Sequence, residues 1–320
     1  MPLMVHRAQA AADVPAEEWE QAKAVIAYHR LAYDEALCQR LTNCRILVRV
    51  GVGCDNVDLA AFAARGIPVC NVPDYGVGEV ADHTIALLLA LTRGVISFHN
   101  AIAHDPVHGW NWRQWPPMVH RLQGKRLLIV GYGAIGRAVA RRAAAFDLMV
   151  NWYDPYAPTI DGDSGGQRLH DLNEALGQAD IVSLHATLAQ KGLQILDRRR
   201  IAAMKPGAVL INTARGGLVD LDALTDSLQQ GHIGAVGLDV LAEEPPDPRQ
   251  RLFVALSENA AWTKGRIVVT PHAAFLSADA INDMRRKAIE TAVAYLRDGT
   301  LRHCVNAAQL DLSSRPRQSE

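Results

Sequence analysis

The chain consists of short apolar runs separated by longer stretches in which apolar and polar residues recur with a helical period. An apolar run of about four to eight residues, bounded by glycine, proline or polar residues, is typical of a buried strand. The runs predict strands over residues 23–29, 45–50, 67–72, 127–130, 181–185, 209–212, 235–240 and 267–270, and the remaining pattern predicts helices over 33–41, 59–65, 77–93 and 277–297. Strands that alternate with helices predict an α/β fold in which helices cover both faces of a parallel sheet.

Residues 97–123 interrupt this alternation and are rich in histidine, tryptophan and proline. One interpretation is an irregular loop that covers the sheet. We favour an arm between two subunits, because Trp110, Trp112 and Trp115 lie close together here and aromatic residues are enriched in the cores of interfaces. The polar residues 311–320 predict a flexible tail.

The segment 126–154 carries the clearest chemical signal in the sequence. A short apolar strand turns through Gly131, Gly133 and Gly136 into a helix, and a second strand ends at Asp154. The three glycines are expected to allow a tight turn, the approach of a pyrophosphate to the backbone, and close packing of helix on strand. Asp154 is spaced to bind an adenosine ribose, and its charge favours NAD over NADP. Because glycines also mark ordinary turns, a merely structural turn is the alternative.

Composition narrows the class of protein. The length of 320 residues suggests two domains, and a net charge of -1 gives no electrostatic reason to expect nucleic acid or an anionic membrane as a partner. The first residues lack a basic stretch followed by an apolar one, and the apolar run 85–91 is too short to span a bilayer. The five cysteines lack the spacing of metal ligands, so we expect reduced thiols, no metal and a cytoplasmic location.

Three charged residues, Arg215, Glu244 and His272, follow the ends of three successive predicted strands. Ligands of open α/β sheets bind beyond these carboxyl ends. There an arginine would hold a carboxylate or carbonyl, a histidine would exchange a proton with a carbinol oxygen, and a carboxylate would orient the histidine. Each residue also has an ordinary interpretation when it is taken alone: an ion pair for the arginine, a solvated loop for the glutamate, and a cap or a satisfied buried position for the histidine.

These motifs resemble the D-isomer-specific 2-hydroxyacid dehydrogenases, and among them most resemble the C-terminal-binding-protein branch of co-repressors. The resemblance covers residues 24–306 and rests on RVGVGCDNVD, GIPVCNVPDYGVGEVADHT, GYGAIGRAVA, YDPY, MKPGAVLINTARGGLVD, LDVLAEEP and TPHAAF. It implies two Rossmann-like or flavodoxin-like doubly wound parallel-sheet domains with a cleft between them. The substrate domain would be discontinuous, comprising residues 1–96 and 277–310, and the NAD-binding domain would comprise residues 97–276.

The resemblance also implies roles for individual residues. Arg215 would bind the 2-oxo acid, and Glu244 would pair with the catalytic His272. The substrate-binding residues would be the backbone amides of Val52 and Gly53 and the side chains of Arg49, Tyr28, His29 and Phe275. The residues at NAD would be Gly131, Gly133, Ala134, Ile135, Gly136, Asp154, His185, Thr213, Ala214, Arg215, Asp239 and His272.

The predicted function is reversible hydride transfer between NADH and a 2-oxo acid, either glyoxylate or hydroxypyruvate or a larger apolar one. Two alternatives remain: an NAD(H)-binding scaffold like the co-repressors, and a phosphite (phosphonate) dehydrogenase that uses the same three catalytic residues. Family members are usually dimers, so we expect a homodimer with no nucleic-acid or membrane partner. Thr187 stands where the family usually carries a proline, near the nicotinamide ribose.

Overall fold

The structure is a computed structural model that describes residues 4–113, 116, 118–157, 166–187 and 194–310. Trp115 of the predicted arm and the predicted tail 311–320 lie outside these ranges. The helices and strands are, in chain order, α1 (Ala16–Gln21), β1 (Ala24–Ala27), α2 (Glu35–Arg40), β2 (Ile46–Arg49), α3 (Leu59–Ala64), β3 (Val69–Cys70), α4 (Val77–Thr92), α5 (Val95–His104), β4 (Arg126–Val130), α6 (Ala134–Ala144), β5 (Met149–Tyr153), β6 (Gln167–Arg168), α7 (Leu172–Gln178), β7 (Ile181–Leu184), α8 (Arg198–Ala203), β8 (Ala208–Asn212), α9 (Leu221–Gln229), β9 (Ile233–Leu238), α10 (Arg251–Ser257), β10 (Ile267–Val269) and α11 (Ala278–Asp298).

The chain forms two compact units. The first comprises Met1–Gly76 and Leu276–Glu320, and the second comprises Val77–Phe275. The boundary after Gly76 precedes the one predicted after residue 96, because α4 packs on α6 and on β8, β9 and β10 of the second unit.

The first unit contains a parallel sheet in the order β1-β2-β3. Successive side chains of a strand point to opposite faces, so the apolar positions of each strand are divided between two cores. Leu47 packs with α1, α2 and α3 on one face, whereas Ile46 and Val48 pack with α11 on the other. Helices therefore cover both faces of this small sheet.

The C-terminal segment returns to the first sheet after α11. The N–H of Val305 donates to Val69 O at 2.8 Å, which places the segment beside β3. The side chain of Asn306, which is 1% exposed, accepts from Val69 N at 2.9 Å and donates to Ile67 O at 3.1 Å. One buried amide side chain thus joins the C-terminal segment to the segment of β3 within this unit.

The second unit contains a parallel sheet in the order β10-β9-β8-β7-β4-β5-β6. The chain enters at β4, adds β5 and β6 on one side, and then adds β7 to β10 on the other. The order therefore reverses between β4 and β7, and in open α/β sheets ligands bind beyond the strand ends at such a point. Side chains of α4 and α6 cover one face, and those of α7, α8, α9 and α10 cover the other.

Most predicted elements are present, but the region that begins at residue 97 was predicted wrongly as irregular. Helix α5 covers Val95–His104 and is separated from α4 by Gly94, whose φ is 64°. None of its residues is buried, so this helix lies at the surface of the unit. Helix α1 and the short strand β6 were not predicted.

No single helix within the described ranges has both the length and the apolar composition needed to cross a membrane. The pair α4 and α5 meets these requirements only when the two are taken together across a 58° bend.

Replacing Asn306 by alanine is expected to lower the free energy of unfolding of the first unit by about 2–4 kcal/mol, because the buried Val69 N–H and Ile67 C=O lose their partner. Urea denaturation followed by circular dichroism measures this. Gln309→Ala, at an exposed position of the same segment, is the control and should change stability by less than about 0.5 kcal/mol. A change in Asn306→Ala no larger than that of the control would show that the Asn306 side chain does not hold the segment.

Candidate active site

The predicted site residues lie in both units, and within each unit they follow the carboxyl ends of parallel strands. In the first unit they follow β1 and β2. In the second they follow β4, β5, β7, β8, β9 and β10, and they include Phe275, the last residue of that unit. No group of three or more His, Cys, Asp or Glu side chains in the described part of the chain is arranged to hold a metal ion.

The segment that runs from β4 into α6 needs glycine at two positions for close packing, and a third glycine faces open space. A Cβ on Gly131, whose φ is 95°, would lie 2.5 Å from Ala186 N in the loop after β7. A Cβ on Gly136 would collide with Gly131 O. A Cβ on Gly133 would meet nothing within 4 Å. The backbone at Gly133 therefore faces open space at the start of α6.

Asp154, directly after β5, is bonded to the glycine loop. Its Oδ2 accepts from Tyr132 N at 2.8 Å, and its Oδ1 accepts from Tyr156 N at 2.8 Å and from Ala157 N at 3.1 Å. The carboxylate thus fixes both the loop and the turn that follows β5. A carboxylate can accept about four hydrogen bonds, so three backbone amides leave capacity for a hydroxyl.

An aromatic stack that the sequence analysis did not identify supports this loop. The rings of Tyr132 and Trp152 are parallel, with centroids 4.2 Å apart. The guanidinium of Arg168 lies 5.2 Å from the centroid of Trp152 and donates to Asp154 O at 2.9 Å. Strand β6 therefore contributes a cation that holds the end of β5.

His185 follows β7, the strand next to β4. The backbone N–H of His185 donates to Val130 O at 2.7 Å, and the ring atom Nε2 lies 2.8 Å from Ser183 Oγ. Burial lowers the pKa of His185 to about 3, so the ring is neutral near pH 7. Its Nδ1 is buried and has no hydrogen-bond partner among the described residues. This buried nitrogen lies beside the strand end where the order of the sheet reverses.

The loop after β8 presents Arg215 and is held by Asn212, which is 0% exposed. Asn212 accepts from Ala214 N at 3.0 Å and donates to Arg215 O at 2.9 Å. The hydroxyl of Thr213 lies 2.9 Å from that of Thr84 on α4. Asn212 is not among the predicted site residues, although an asparagine at the end of a buried strand is a signal for such a loop.

Glu244 and His272 form a close pair. The distance from His272 Nδ1 to Glu244 Oε2 is 2.6 Å, and Glu244 Oε1 accepts from Leu241 N at 2.8 Å. Burial raises the pKa of Glu244, but the hydrogen bonds from His272 and Leu241 and the positive charges of His272 and Arg215 hold it below its usual value overall. The glutamate is therefore ionised at neutral pH and orients the imidazole.

The backbone of His272 is left-handed, with φ 53°, and Asp239 holds it. The N–H of His272 donates to Asp239 O at 2.8 Å, that of Ala273 to Oδ1 at 2.8 Å, and that of Ala274 to Oδ2 at 2.9 Å. The Asp239 side chain is 1% exposed. The structure therefore places Asp239 beneath the histidine turn. The ring of Phe275 meets that of His272 edge-on at 6.2 Å.

In the first unit, two asparagines that the sequence analysis did not identify hold the predicted substrate loops. Asn56 donates to Tyr28 O at 3.0 Å, and Asn71 donates to Val52 O at 2.6 Å. Arg49 donates to Val50 O at 2.6 Å. Its guanidinium occupies the space where a Cβ on Gly51, with φ 132°, would lie.

The remaining predicted residues of this unit are at its surface. Tyr28 is 42% exposed and Val52 is 37% exposed. His29 is exposed and Gly53 is half-buried. Both loops are thus open to a ligand.

Two features of the second unit are suited to binding a dinucleotide. Gly133 precedes α6 without a side-chain cap, so the first amides of that helix are open to a phosphate. The buried Nδ1 of His185 is a polar atom that a ligand at the adjoining strand end can satisfy. Gly133, Ala134 and Ile135 would hold the pyrophosphate, and Asp154 would hold the ribose.

Comparison with known proteins agrees with this geometry. Residues 85–274 match the family described as D-isomer specific 2-hydroxyacid dehydrogenase, NAD binding domain. D-3-phosphoglycerate dehydrogenase of Mycobacterium bovis is 34% identical over 260 residues, which make up 81% of this chain and 46% of that protein. The chain thus spans about half the length of this curated relative.

Two solved structures cover nearly the whole chain. D-lactate dehydrogenase from Aquifex aeolicus, complexed with NAD and lactic acid, is 27% identical with a TM-score of 0.79, and the match covers 91% of this chain and 87% of that one. A glyoxylate reductase from Paecilomyes thermophila is 26% identical with a TM-score of 0.80 and the same coverage of 91% and 87%. The chain therefore belongs to the D-isomer-specific 2-hydroxyacid dehydrogenase family, and its second unit carries the NAD-binding domain of that family.

Proposed function

We propose that this protein is an NAD-dependent D-2-hydroxyacid dehydrogenase that interconverts a 2-oxo acid and a D-2-hydroxy acid. The observation that carries the proposal is the 2.6 Å pair of His272 Nδ1 and Glu244 Oε2. The loop of Arg215 packs closely against the loop that leads to Glu244: a Cβ added to Gly216 would collide with the backbone of Leu241. An acid–base pair and an arginine are thus held together beyond the ends of neighbouring strands.

The histidine pair is suited to proton transfer. Because Nδ1 is bonded to Glu244, Nε2 remains to exchange a proton with the substrate oxygen. The carboxylate of Glu244 offsets the charge of the imidazolium, so His272 can give a proton to the alkoxide that forms on reduction and can take it back on oxidation. Bound NADH supplies the hydride that reduces C2 of the 2-oxo acid.

Arg215 supplies the positive charge of this site. Its guanidinium would hold the substrate carboxylate and polarise the carbonyl oxygen through charge-assisted hydrogen bonds. Its donor to Ala214 O, at 2.7 Å, fixes one edge of the planar group against its own loop. Asn212 fixes the backbone of that loop, so the guanidinium starts from a defined position.

The proposal extends to the loops of the first unit. The amides of Val52 and Gly53 would bind the substrate carboxylate, while Arg49, Tyr28 and His29 would line its pocket. The resemblance to the co-repressor branch supports this role for Arg49, as does the fixed position of its guanidinium over Gly51. Phe275, in the second unit, would contact the substrate side chain.

The residues proposed at NAD are those of the strand ends in the second unit. The open backbone at the start of α6 supports a role at NAD for the residues there, which are Gly131, Gly133, Ala134, Ile135 and Gly136. The buried Nδ1 of His185, which has no hydrogen-bond partner among the described residues, supports the same role for His185. Thr213, Ala214, Arg215 and His272 follow neighbouring strands at the same edge of the sheet. Asp239 would act mainly through the His272 turn that it supports.

A homodimer is also part of the proposal. Val95 on α5 is 57% exposed, and Trp110 and Trp112 in the following loop are 76% and 69% exposed. Exposed aromatic and aliphatic side chains in one segment support the subunit arm that the sequence predicts. The absence of nucleic-acid and membrane partners stays a prediction from the sequence.

Oxidation of NADH by the purified protein with a graded set of 2-oxo acids tests the proposed function. The set comprises glyoxylate, hydroxypyruvate, pyruvate and phenylpyruvate, and D-3-phosphoglycerate with NAD tests the substrate of the Mycobacterium bovis relative. Turnover with one size class supports the proposal and identifies the substrate class. If the protein turned over phosphite with NAD but none of the 2-oxo acids, it would be a phosphite dehydrogenase instead. NADH binding without any turnover would favour the scaffold.

His272→Ala is expected to lower kcat by about 10²–10⁴-fold with a far smaller effect on the Kd for NADH, because the variant loses the general acid and keeps the glycine loop, which would hold most of the cofactor. Steady-state kinetics and quenching of tryptophan fluorescence by NADH measure the two quantities. His303→Ala is the matched control, since His303 is an exposed histidine with φ 51° outside the proposed site. A near-wild-type kcat in His272→Ala would contradict the assignment of the acid.

Glu244→Gln is expected to move the alkaline decline of the reduction rate to lower pH. The pKa of Glu244 lies below its usual value, so the wild-type carboxylate is charged over the whole range from about pH 5 upward. Its neutral amide replacement no longer favours the protonated imidazole that reduction requires. The dependence of kcat/KM on pH measures the change. A decline at the wild-type pH would show that the carboxylate does not govern the proton donor.

Asp154→Asn is expected to weaken NADH binding and to reduce the preference for NADH over NADPH, because the carboxylate no longer repels a 2'-phosphate. The asparagine keeps an oxygen for the amides of Tyr156 and Ala157, which makes it less disruptive than alanine. Dissociation constants for both cofactors measure the effect, with the exposed Asp171→Asn as control. An unchanged ratio of the two constants would mean that another group holds the ribose.

A further inference from the structure

His83 on α4 contacts the support of the His272 turn. Its Nε2 lies 3.0 Å from Thr270 Oγ1 and 3.6 Å from Asp239 Oδ1. Thr270 follows β10 directly and precedes His272 by two positions. Its hydroxyl donates to Asp239 Oδ1 at 2.5 Å. A continuous path of hydrogen bonds therefore runs from α4 to the turn that presents His272.

The direction of these bonds follows from the number of hydrogens available. A threonine hydroxyl has one hydrogen, and an ionised carboxylate can only accept. The hydroxyl hydrogen of Thr270 is therefore used toward Asp239. The oxygen of Thr270 then accepts from His83, so Nε2 of His83 carries a hydrogen and donates it.

Asp239 needs this path because its carboxylate is buried, with 1% of the side chain exposed. A buried carboxylate is costly unless donors replace the water that it has lost. The donors here are the Thr270 hydroxyl and the amides of Ala273 and Ala274. Loss of the Thr270 hydroxyl bond is expected to weaken the hydrogen bonds from the Ala273 and Ala274 amides, because all three donors share the two carboxylate oxygens of Asp239.

We propose that His83 is a positioning residue for His272, acting through Thr270 and Asp239. The Nε2–H of His83 holds the Thr270 hydroxyl in the rotamer that donates to Asp239, and Asp239 in turn holds the left-handed turn at His272. The inference rests on the proposed function, since it assigns His83 a part in the same acid–base site. His83 itself does not touch the reacting atoms.

The path predicts a particular pattern of kinetic effects. His83→Leu removes the donor and is expected to lower kcat about 10- to 100-fold with KM and the Kd for NADH nearly unchanged, because a displaced general acid costs rate rather than binding. His83→Gln, whose side-chain amide can donate in place of Nε2–H, is expected to retain kcat within about threefold.

Thr270→Val removes the next group along the path. The double variant His83→Leu/Thr270→Val is expected to show the kcat of Thr270→Val alone, since the two residues act through one contact. His99→Leu, at an exposed position of α5, and Thr225→Val, at a buried threonine whose hydroxyl donates to Leu221 O of its own helix, are the matched controls.

Hydrogen exchange of the peptide that covers residues 270–276 tests the same path without turnover. Exchange at the Ala273 and Ala274 amides is expected to be faster in His83→Leu and Thr270→Val, and to match wild type in His83→Gln and in the two controls. Wild-type exchange in His83→Leu, or additive losses of kcat in the double variant, would overturn the proposal.

The exchange measurement also separates this proposal from the proposed function. If the wild-type protein turned over no 2-oxo acid, the proposed dehydrogenase activity would be wrong. Faster exchange in His83→Leu would then still establish that His83 holds the turn.

Discussion

The site depends on the hydrogen bonds that three consecutive amides, those of residues 272, 273 and 274, donate to Asp239. A non-glycine residue in the left-handed region is held there only if its surroundings fix it. By fixing His272, Asp239 also fixes the distance of 2.6 Å between His272 and Glu244, and Glu244 in turn caps the backbone of Leu241. These hydrogen bonds hold the ends of β9 and β10 together, and they determine the geometry of the pair formed by His272 and Glu244.

The same device recurs at the other strand ends. A buried or half-buried carboxylate or amide side chain accepts or donates several backbone hydrogen bonds and so defines the loop beyond its strand. Asp154 does this for the glycine loop, Asn212 for the loop of Arg215, and Asn56 for the loops after β1 and β2. Short polar side chains suit this task because they reach neighbouring backbone groups with little loss of conformational entropy. The parallel sheets fix the direction of each strand, and these polar side chains fix the conformation of the loop that follows it.

The sequence predicted the sheets well because buried parallel strands are continuous apolar runs, and it predicted Arg215, Glu244 and His272 because each follows such a run. Helix α5 escaped prediction because the histidines, tryptophans and prolines of residues 97–123 indicated an irregular region, although the first part of that region is helical. The boundary after Gly76 also escaped, because the same apolar residues of α4 could have packed in either unit. Arg168 and His83 could not be recognised at all. Their partners, Trp152 and Thr270, are distant in sequence, and nothing local distinguishes Arg168 from the other arginines or His83 from the other histidines of the chain.

Three histidines at or near the strand ends of the second unit show how environment assigns chemistry. Desolvation of the ring by burial lowers the pKa of His185 to about 3, so the ring stays neutral near pH 7 and can only exchange hydrogen bonds. His83 donates to a hydroxyl that is itself committed to a carboxylate, so its Nε2–H is held in place. The side chain of His272 is 44% exposed, and its Nδ1 lies 2.6 Å from a carboxylate oxygen of Glu244, so Nε2 is the ring nitrogen left for a ligand. Of these three rings, His272 combines the greatest exposure with a direct contact to a carboxylate, and a proton donor to the alkoxide of the proposed reaction needs both.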